Sequence, residues 1–314
     1  MDFLLLIILT CIGLILGSFC TVCVNRLPQN LSIIQPRSFC TFCKKSIKWF
    51  HNIPLFSFII LIFISLILGS FCTVCVYRLP QNLSIIKPRS FCINCKKTIQ
   101  WFHNIPLFSF IFLKGKCEYC QKKISWIYPS IEITTAFSLV ILYFYFKTIH
   151  FEFIFLSLFF LSLIILFFCD FKFFLLPNTI IFFLYTIGLL RCLASPDSIF
   201  FSSSIDCLIG FVVGIGFLYF FAKIYQIIRK KEGMGMGDVK LLGALGLWLG
   251  WQSLFFIIIV SALLGILVGL SAVALGKIKI QNKIPYGCFL IMATILYMAF
   301  ISSITSFYQT YMFV

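Results

Sequence analysis

Residues 160–170 read FLSLIILFFCD, an apolar run that ends at the acidic side chain of Asp170. A second aspartate, Asp238, lies in the glycine-rich sequence GMGDVK at residues 235–240, directly before another apolar segment. An ionisable side chain at membrane depth costs several kcal/mol, so it usually faces a cavity and has a function there. These two aspartates are therefore the strongest functional candidates in the sequence.

The composition places the chain in a lipid bilayer. Of its 314 residues, 61% are hydrophobic and only 11% are charged, which is incompatible with the polar surface of a soluble domain. A spanning helix needs roughly 20 mainly apolar residues, so the sequence predicts an all-α polytopic membrane protein with a bundle of about eight to nine transmembrane helices. The apolar runs lie near residues 3–24, 57–76, 130–147, 152–170, 174–195, 205–224, 239–253, 254–275 and 286–308.

The net charge of +16 is confined to particular segments between the apolar runs. Such placement indicates topology rather than binding of nucleic acid, because basic loops of membrane proteins face the cytoplasm. Segments 77–128 and 223–240 and the loop after residue 275 are therefore predicted to be cytoplasmic. Helix 152–170 then runs inward, and both aspartates reach the same inner boundary of the membrane.

Two carboxyl groups at one membrane depth can share a proton, because desolvation and mutual repulsion raise the proton affinity of one of them. One carboxylate can then activate a water molecule while its protonated partner polarises a peptide carbonyl. Three nearby glycines would allow tight backbone turns and the approach of an extended substrate to Asp238; they are Gly233, Gly235 and Gly237.

Structural explanations compete with these functional ones. Asp170, close to Lys172, can be an interfacial cap or half of an ion pair, and GMGDVK can be a loop followed by an N-terminal helix cap. Glu132 is equally compatible with a structural hydrogen bond and with support of the active site. Glu152 carries no evident chemistry.

Cysteines provide a second signal. Two Cys-x-x-Cys pairs, separated by 21 residues, lie in the basic segment 77–128 and have the spacing of a zinc ribbon. Neighbouring lysines would favour the thiolates, and the reducing cytoplasm argues against the alternative of two disulfides. The sequence predicts a small zinc-ribbon-like domain with four ligands, Cys92, Cys95, Cys117 and Cys120. The pairs Cys20/Cys23 and Cys72/Cys75 lie in apolar runs and are predicted to be packing residues.

An internal repeat divides the chain. Residues 16–58 recur almost unchanged at residues 68–110, an offset of 52. The first copy contains Cys40 and Cys43 but no second pair, so only the second copy can complete a site with four thiolates. We expect three parts: a duplicated partial segment at 1–56, a first helix with the zinc domain at 57–128, and the main transmembrane domain at 129–314.

Several motifs resemble those of bacterial type IV prepilin peptidases, in the same order along the chain. The resemblance covers residues 68–300 and is carried by LGSFCTVCVYRLP, PRSFCINC, WFHNIPLFSF, KCEYCQKKISWIYPSIE, CDFKFFLLPN and GMGDVKLLGALG. That family comprises GxGD membrane aspartic peptidases of the bacterial inner membrane. The resemblance implies that Asp170 and Asp238 are the catalytic pair and that the four cysteines of segment 77–128 bind zinc.

The resemblance also implies the reaction. Such enzymes remove the leader peptide from type IV prepilins or type II secretion pseudopilins on the cytoplasmic side, and many then N-methylate the new amino terminus with S-adenosylmethionine. Two other classes remain open from the residues alone. A transporter or channel would use the acid pair to relay protons and the thiols as a regulatory metal site, and a nonenzymatic scaffold would use its basic loop to recruit anionic lipids or partners.

Overall fold

The computed structural model describes residues 53–100, 107–146, 151–194, 204–230, 235–276 and 284–301. Within these ranges the regular structure is helical, and the only β pairing consists of isolated bridges. The helices are α1 (Ile53–Arg78), followed by a 3-10 turn (Leu79–Gln81), α2 (Phe108–Phe112), α3 (Ile127–Phe146), α4 (Phe151–Phe173), α5 (Asn178–Ala194), α6 (Ser204–Arg229), α7 (Met236–Leu249), α8 (Trp251–Ala274) and α9 (Tyr286–Ala299).

The helical, multi-pass architecture agrees with the prediction from hydropathy. Five of these helices, α1, α3, α4, α6 and α8, are long and apolar enough to cross a bilayer, while α5 and α9 are shorter apolar helices. The predicted run at 3–24 lies outside the described residues. The chain divides into two compact units, residues 1–60 and 61–314, and the core and the candidate sites belong to the second.

Helix α7 lies at the centre of the second unit. It contacts α5, α6, α8 and α9, and almost every residue from Val239 to Leu249 is buried. A helix that is apolar on all sides lies either in lipid or in the interior of a protein, and α7 is buried by the neighbouring helices. Its glycines permit this packing, because a Cβ added at Gly243 or Gly246 would overlap atoms of α6. Close backbone approach of this kind is typical of helix pairs in membranes.

A charged pair holds one end of the helix bundle. Arg191 in α5 is 1% exposed, and its Nη2 lies 3.1 Å from Oε2 of Glu152 in the first turn of α4. Its Nη1 also donates to the carbonyl of Trp248 in α7, at 3.2 Å. The guanidinium lies over the indole ring of Trp248, 5.3 Å from the ring centroid. One side chain therefore joins three helices.

We expect Glu152→Gln to lower the free energy of unfolding by about 3 kcal/mol, because the buried guanidinium loses its carboxylate partner. The measurement is the thermal unfolding midpoint of the purified protein in detergent. Glu118→Gln is the matched control, since it makes the same change at an exposed carboxylate. Equal midpoints for Glu152→Gln and the unmodified protein would contradict a stabilising role for the pair.

Candidate active site and metal centre

Asp170 lies near the end of α4, and only 5% of its surface is exposed. Its Oδ2 accepts a hydrogen bond from the backbone N–H of Cys288, at 3.0 Å, in the first turn of α9. The first N–H groups of a helix lack partners within the helix, and the N-cap residue Pro285 supplies no side-chain hydrogen bond. The carboxylate of Asp170 therefore caps α9 from another helix, and the α9 dipole favours its negative charge.

The predicted alternative for Asp170, an ion pair with Lys172, is not what the structure shows. Lys172 Nζ lies 5.6 Å from the ring centroid of Tyr77 and 5.1 Å from that of Phe173. The alternative of a helix cap is correct in part, because Asp170 caps α9. This capping is itself what positions the carboxylate.

Asp238 lies in the first turn of α7 and is partly buried. Gly235, three residues earlier, is the N-cap of α7 and has an extended backbone, with φ −70° and ψ 135°. The N–H of Asp238 donates to the carbonyl of Gly235, at 3.1 Å. Helix α7 thus begins two residues before Asp238. The buried residues that follow in α7 fix the position of this acidic side chain.

The two carboxyl groups converge on Gly287 in the first turn of α9. A Cβ added to this glycine would lie 2.9 Å from Oδ2 of Asp170 and 3.2 Å from Oδ1 of Asp238. The two oxygens can be no farther apart than these two distances together. The structure therefore brings together the aspartates that the topology placed at one membrane boundary, while their catalytic role stays a prediction.

This arrangement suits acid–base chemistry. Burial disfavours the charged form of Asp238, and the nearby charge of Asp170 disfavours it further. Two such carboxyl groups favour the state in which they hold one proton between them. The ionised member can take a proton from water, and the protonated member can donate one to an oxygen.

Several residues around the pair were not identified from the sequence. Gly287 and Cys288 line it from α9, and the side chain of Leu176 lies close to both Gly237 and Gly287. Ser261 and Tyr286, on α8 and α9, share a hydrogen bond of 2.9 Å between their hydroxyl oxygens. The sequence Pro-Tyr-Gly-Cys before an apolar run indicates a helix start, but nothing in it indicates a distant carboxylate as partner.

The four cysteines of segment 77–128 form a cluster. Their sulfur atoms all lie within 4.8 Å of one another, and this is the one group of potential metal ligands found in the described residues. Two similar turns present them. Cys92 N–H donates to Lys97 O and Cys117 N–H to Lys122 O, both at 2.9 Å, and a left-handed residue follows each pair, Lys96 and Gln121. Such a cluster can hold a metal ion such as zinc.

Two thiols of the cluster, Cys92 and Cys120, differ in how readily they ionise. For Cys92, burial opposes ionisation, but hydrogen bonds from the backbone of Cys95 and Asn94 and from neighbouring thiols lower its pKa to about 7. For Cys120, the backbone N–H of Lys122 favours the thiolate, but burial and the other thiols of the cluster raise its pKa to about 11. The pKa values of Cys92 and Cys120 are therefore shifted in opposite directions within one cluster.

The lysines contribute less to this ionisation than we expected. Lys96 and Lys97 lie over aromatic rings, 5.5 Å from the centroid of Phe91 and 4.9 Å from that of Tyr119. The groups that stabilise the thiolate of Cys92 are backbone N–H groups and thiols. The turn geometry of the Cys-x-x-Cys pair, rather than nearby positive charge, prepares the ligand.

Other cysteines pack as hydrophobic side chains, as predicted. Cys72, Cys75 and Cys169 are buried in one cluster with Val76, Ile131, Ile165 and Phe168. Cys169 Sγ lies 3.7 Å from the carbonyl oxygen of Val76. The first-copy cysteines, Cys20, Cys23, Cys40 and Cys43, and the glycine Gly233 lie outside the described residues.

Glu132 has the structural contact that the sequence left open. Its Oε2 accepts a hydrogen bond from the N–H of Leu107, at 2.8 Å. Its backbone lies against Gly69 of α1, where an added Cβ would be 2.8 Å from the Cα of Glu132. The acid therefore joins α1, α3 and the segment that leads into α2.

Comparison with known proteins gives a consistent result. The sequence model of the bacterial peptidase A24 N-terminal domain matches residues 11–62 and 63–146, and that of the type IV leader peptidase family matches residues 157–270. The chain is 32% identical to a prepilin leader peptidase/N-methyltransferase of Aeromonas hydrophila, over 83% of this chain and 96% of the relative. It is 36% identical to one of Bacillus subtilis (strain 168), over 79% and 96%. No solved structure matches the chain.

We expect the purified protein to contain about one zinc ion per chain, the stoichiometry of a four-cysteine site. Cys95→Ser and Cys117→Ser should each remove most of that zinc, because three thiolates no longer close the site. The measurement is elemental analysis by mass spectrometry after gel filtration in detergent. Cys72→Ser is the matched control, since it alters a Cys-x-x-Cys pair within α1. Unchanged zinc in both cluster variants would contradict the assignment.

Proposed function

The chain belongs to the type IV leader peptidase family, and from this premise we propose that it is a membrane aspartic endopeptidase. It removes the leader peptide from type IV prepilins or type II secretion pseudopilins and N-methylates the new amino terminus. The observation that carries the peptidase proposal is the convergence of Asp170 and Asp238 on Gly287.

In the proposed mechanism the two acids have different roles. Asp170 is the ionised member, because the N–H of Cys288 and the N-terminus of α9 stabilise a negative charge there. It accepts a proton from water as the water oxygen attacks the scissile carbonyl. Asp238 donates its proton to the carbonyl oxygen. Collapse of the tetrahedral intermediate then breaks the C–N bond, and the leaving amine receives a proton from the pair.

The proposal includes the setting of the site. The enzyme lies in the bacterial inner membrane with the acid pair at its cytoplasmic side, which the basic segments around Arg89 and Lys230 support. Its parts are a duplicated partial segment at 1–56, the first family helix with a structural zinc domain at 57–128, and the peptidase domain at 129–314. Zinc is bound by the four clustered cysteines, and S-adenosylmethionine is the methyl donor.

Asp170→Asn and Asp238→Asn should each reduce cleavage at least about a hundredfold, because general acid–base catalysis needs both an ionised and a protonated carboxyl group. The measurement is the conversion of a co-reconstituted prepilin to its mature form, followed by mass spectrometry. Asp206→Asn is the control, because Asp206 lies in the first turn of α6, on a different helix from either member of the pair. Normal cleavage by either site variant, correctly inserted and with its zinc retained, would overturn the proposed catalytic pair.

Gly287→Ala should also lower cleavage strongly, because the new methyl group would lie 2.9 Å from one carboxylate and 3.2 Å from the other. The side chains must then move apart, and the space for water between them is lost. Gly216→Ala is the matched control, since a Cβ there meets no atom within 4 Å. We expect the control to cleave at the normal rate. Equal rates for the two variants would show that Gly287 imposes no constraint on the pair.

A further inference from the structure

A cavity that the acid pair does not use lies beside the thiol cluster. It is an open cavity with a volume of about 350 Å³, lined by α1, the cysteine-containing segment, the start of α3 and the end of α4. This volume is within the range of small-molecule binding sites. Its walls include Tyr77, Phe91, Tyr119, Tyr128, Glu132 and Lys172.

The side chains of this cavity indicate the charge of its ligand. Glu132 is 9% exposed and uses only Oε2 to accept from Leu107, so its other oxygen remains for a positive group. Aromatic rings attract cations at their faces and also stack on planar bases. Lys122, Lys123 and Lys172 also line the cavity and provide positive charges that suit a carboxylate.

The Arg78 guanidinium in the same wall is already engaged. It donates to the carbonyls of Ser84 and Pro88, at 2.8 and 2.7 Å, and lies over the ring of Phe91. It therefore holds the wall in shape and leaves the lysines to meet an anionic group. A ligand that fits this cavity combines a cationic centre, a flat aromatic base and a carboxylate.

We propose that this cavity binds S-adenosylmethionine, with Glu132 facing its positive charge and the aromatic wall holding its adenine. The inference rests on the proposed N-methyltransferase activity and assigns that activity to a place separate from the acid pair. Lys172 lines the cavity and lies two residues beyond Asp170 in α4. Asp170 contacts α9 whereas Lys172 lies over Tyr77 of α1, so a substrate terminus released at the acid pair reaches the bound methyl donor by moving around the end of α4.

The transfer step is simple in its chemistry. The unprotonated α-amine of the new terminus attacks the methyl carbon, and the bond between that carbon and sulfur breaks with its electron pair going to sulfur. S-adenosylhomocysteine is the second product, and the resulting secondary ammonium loses a proton to solvent. No oxidant, reductant or further reactant is needed.

The test measures binding directly, by equilibrium dialysis of radiolabelled S-adenosylmethionine with the full chain in detergent. Glu132→Gln should weaken binding about tenfold, because it keeps an acceptor for Leu107 but removes a charged interaction. Asp206→Asn is the control, because it removes a carboxylate in the first turn of α6 that does not line the cavity, and it should alter binding little. Equal affinities for Glu132→Gln and the unmodified protein would overturn the role of Glu132.

A second variant tests the cavity itself. Val74 lies in the α1 wall, and Val74→Phe should fill part of the space, so that binding and methylation fall while prepilin cleavage continues. Cleavage that falls while binding of S-adenosylmethionine is unchanged would show that the cavity holds the leader peptide instead, and would overturn the proposal. Thermal unfolding of the variant shows that the fold is retained.

The proposed peptidase function and this inference fail in different ways. Asp170→Asn should abolish cleavage but leave the affinity for S-adenosylmethionine unchanged. Binding that disappears with Asp170→Asn would place the ligand at the acid pair and overturn the cavity assignment. Normal cleavage by Asp170→Asn, with binding intact, would overturn the catalytic pair and leave the cavity proposal standing.

Discussion

The hydrogen bond from the backbone of Cys288 to Asp170 is the interaction on which the candidate active site depends. A carboxylate that is 95% removed from solvent needs compensation, because burial of an unpartnered charge is strongly unfavourable. The start of α9 needs an acceptor for equally strong reasons, since its own N-cap provides none. The hydrogen bond gives the carboxylate a donor and gives the first turn of α9 an acceptor. It therefore fixes α4 and α9 relative to each other beside Asp238.

The position of Asp238 depends on packing rather than on hydrogen bonds. Helix α7 is short and buried, and its glycines let it approach α6 with no side chain between the two backbones. Any larger residue at Gly246 would move α7 and with it the acid in its first turn. The charged contact of Arg191 with Glu152 and Trp248 then anchors the other end of the same helix. Contacts along the full length of α7 therefore determine where Asp238 lies relative to Asp170.

Much of this fold was predictable from the sequence, because lipid imposes a strong pattern on helices that cross it. Hydropathy located the helices, and the spacing of Cys92, Cys95, Cys117 and Cys120 identified the cluster. Loop charge placed Asp170 and Asp238 at one boundary. The contacts of Gly287, Cys288 and Arg191 were not predictable, since each joins residues far apart in sequence. The hydropathy pattern indicates how deep in the membrane a residue lies. It does not indicate which residue of another helix that residue contacts.

The geometry of α4 gives a physical reason to separate the two proposed reactions. Residues two apart in a helix point in directions about 200° apart, so Asp170 meets α9 while Lys172 meets Tyr77 of α1. An amine released beside two carboxyl groups stays protonated, because negative charge favours the ammonium form. An ammonium has no lone pair to accept a methyl group. On the Lys172 side, positive charge favours the free amine, so moving the terminus across α4 would prepare it for transfer.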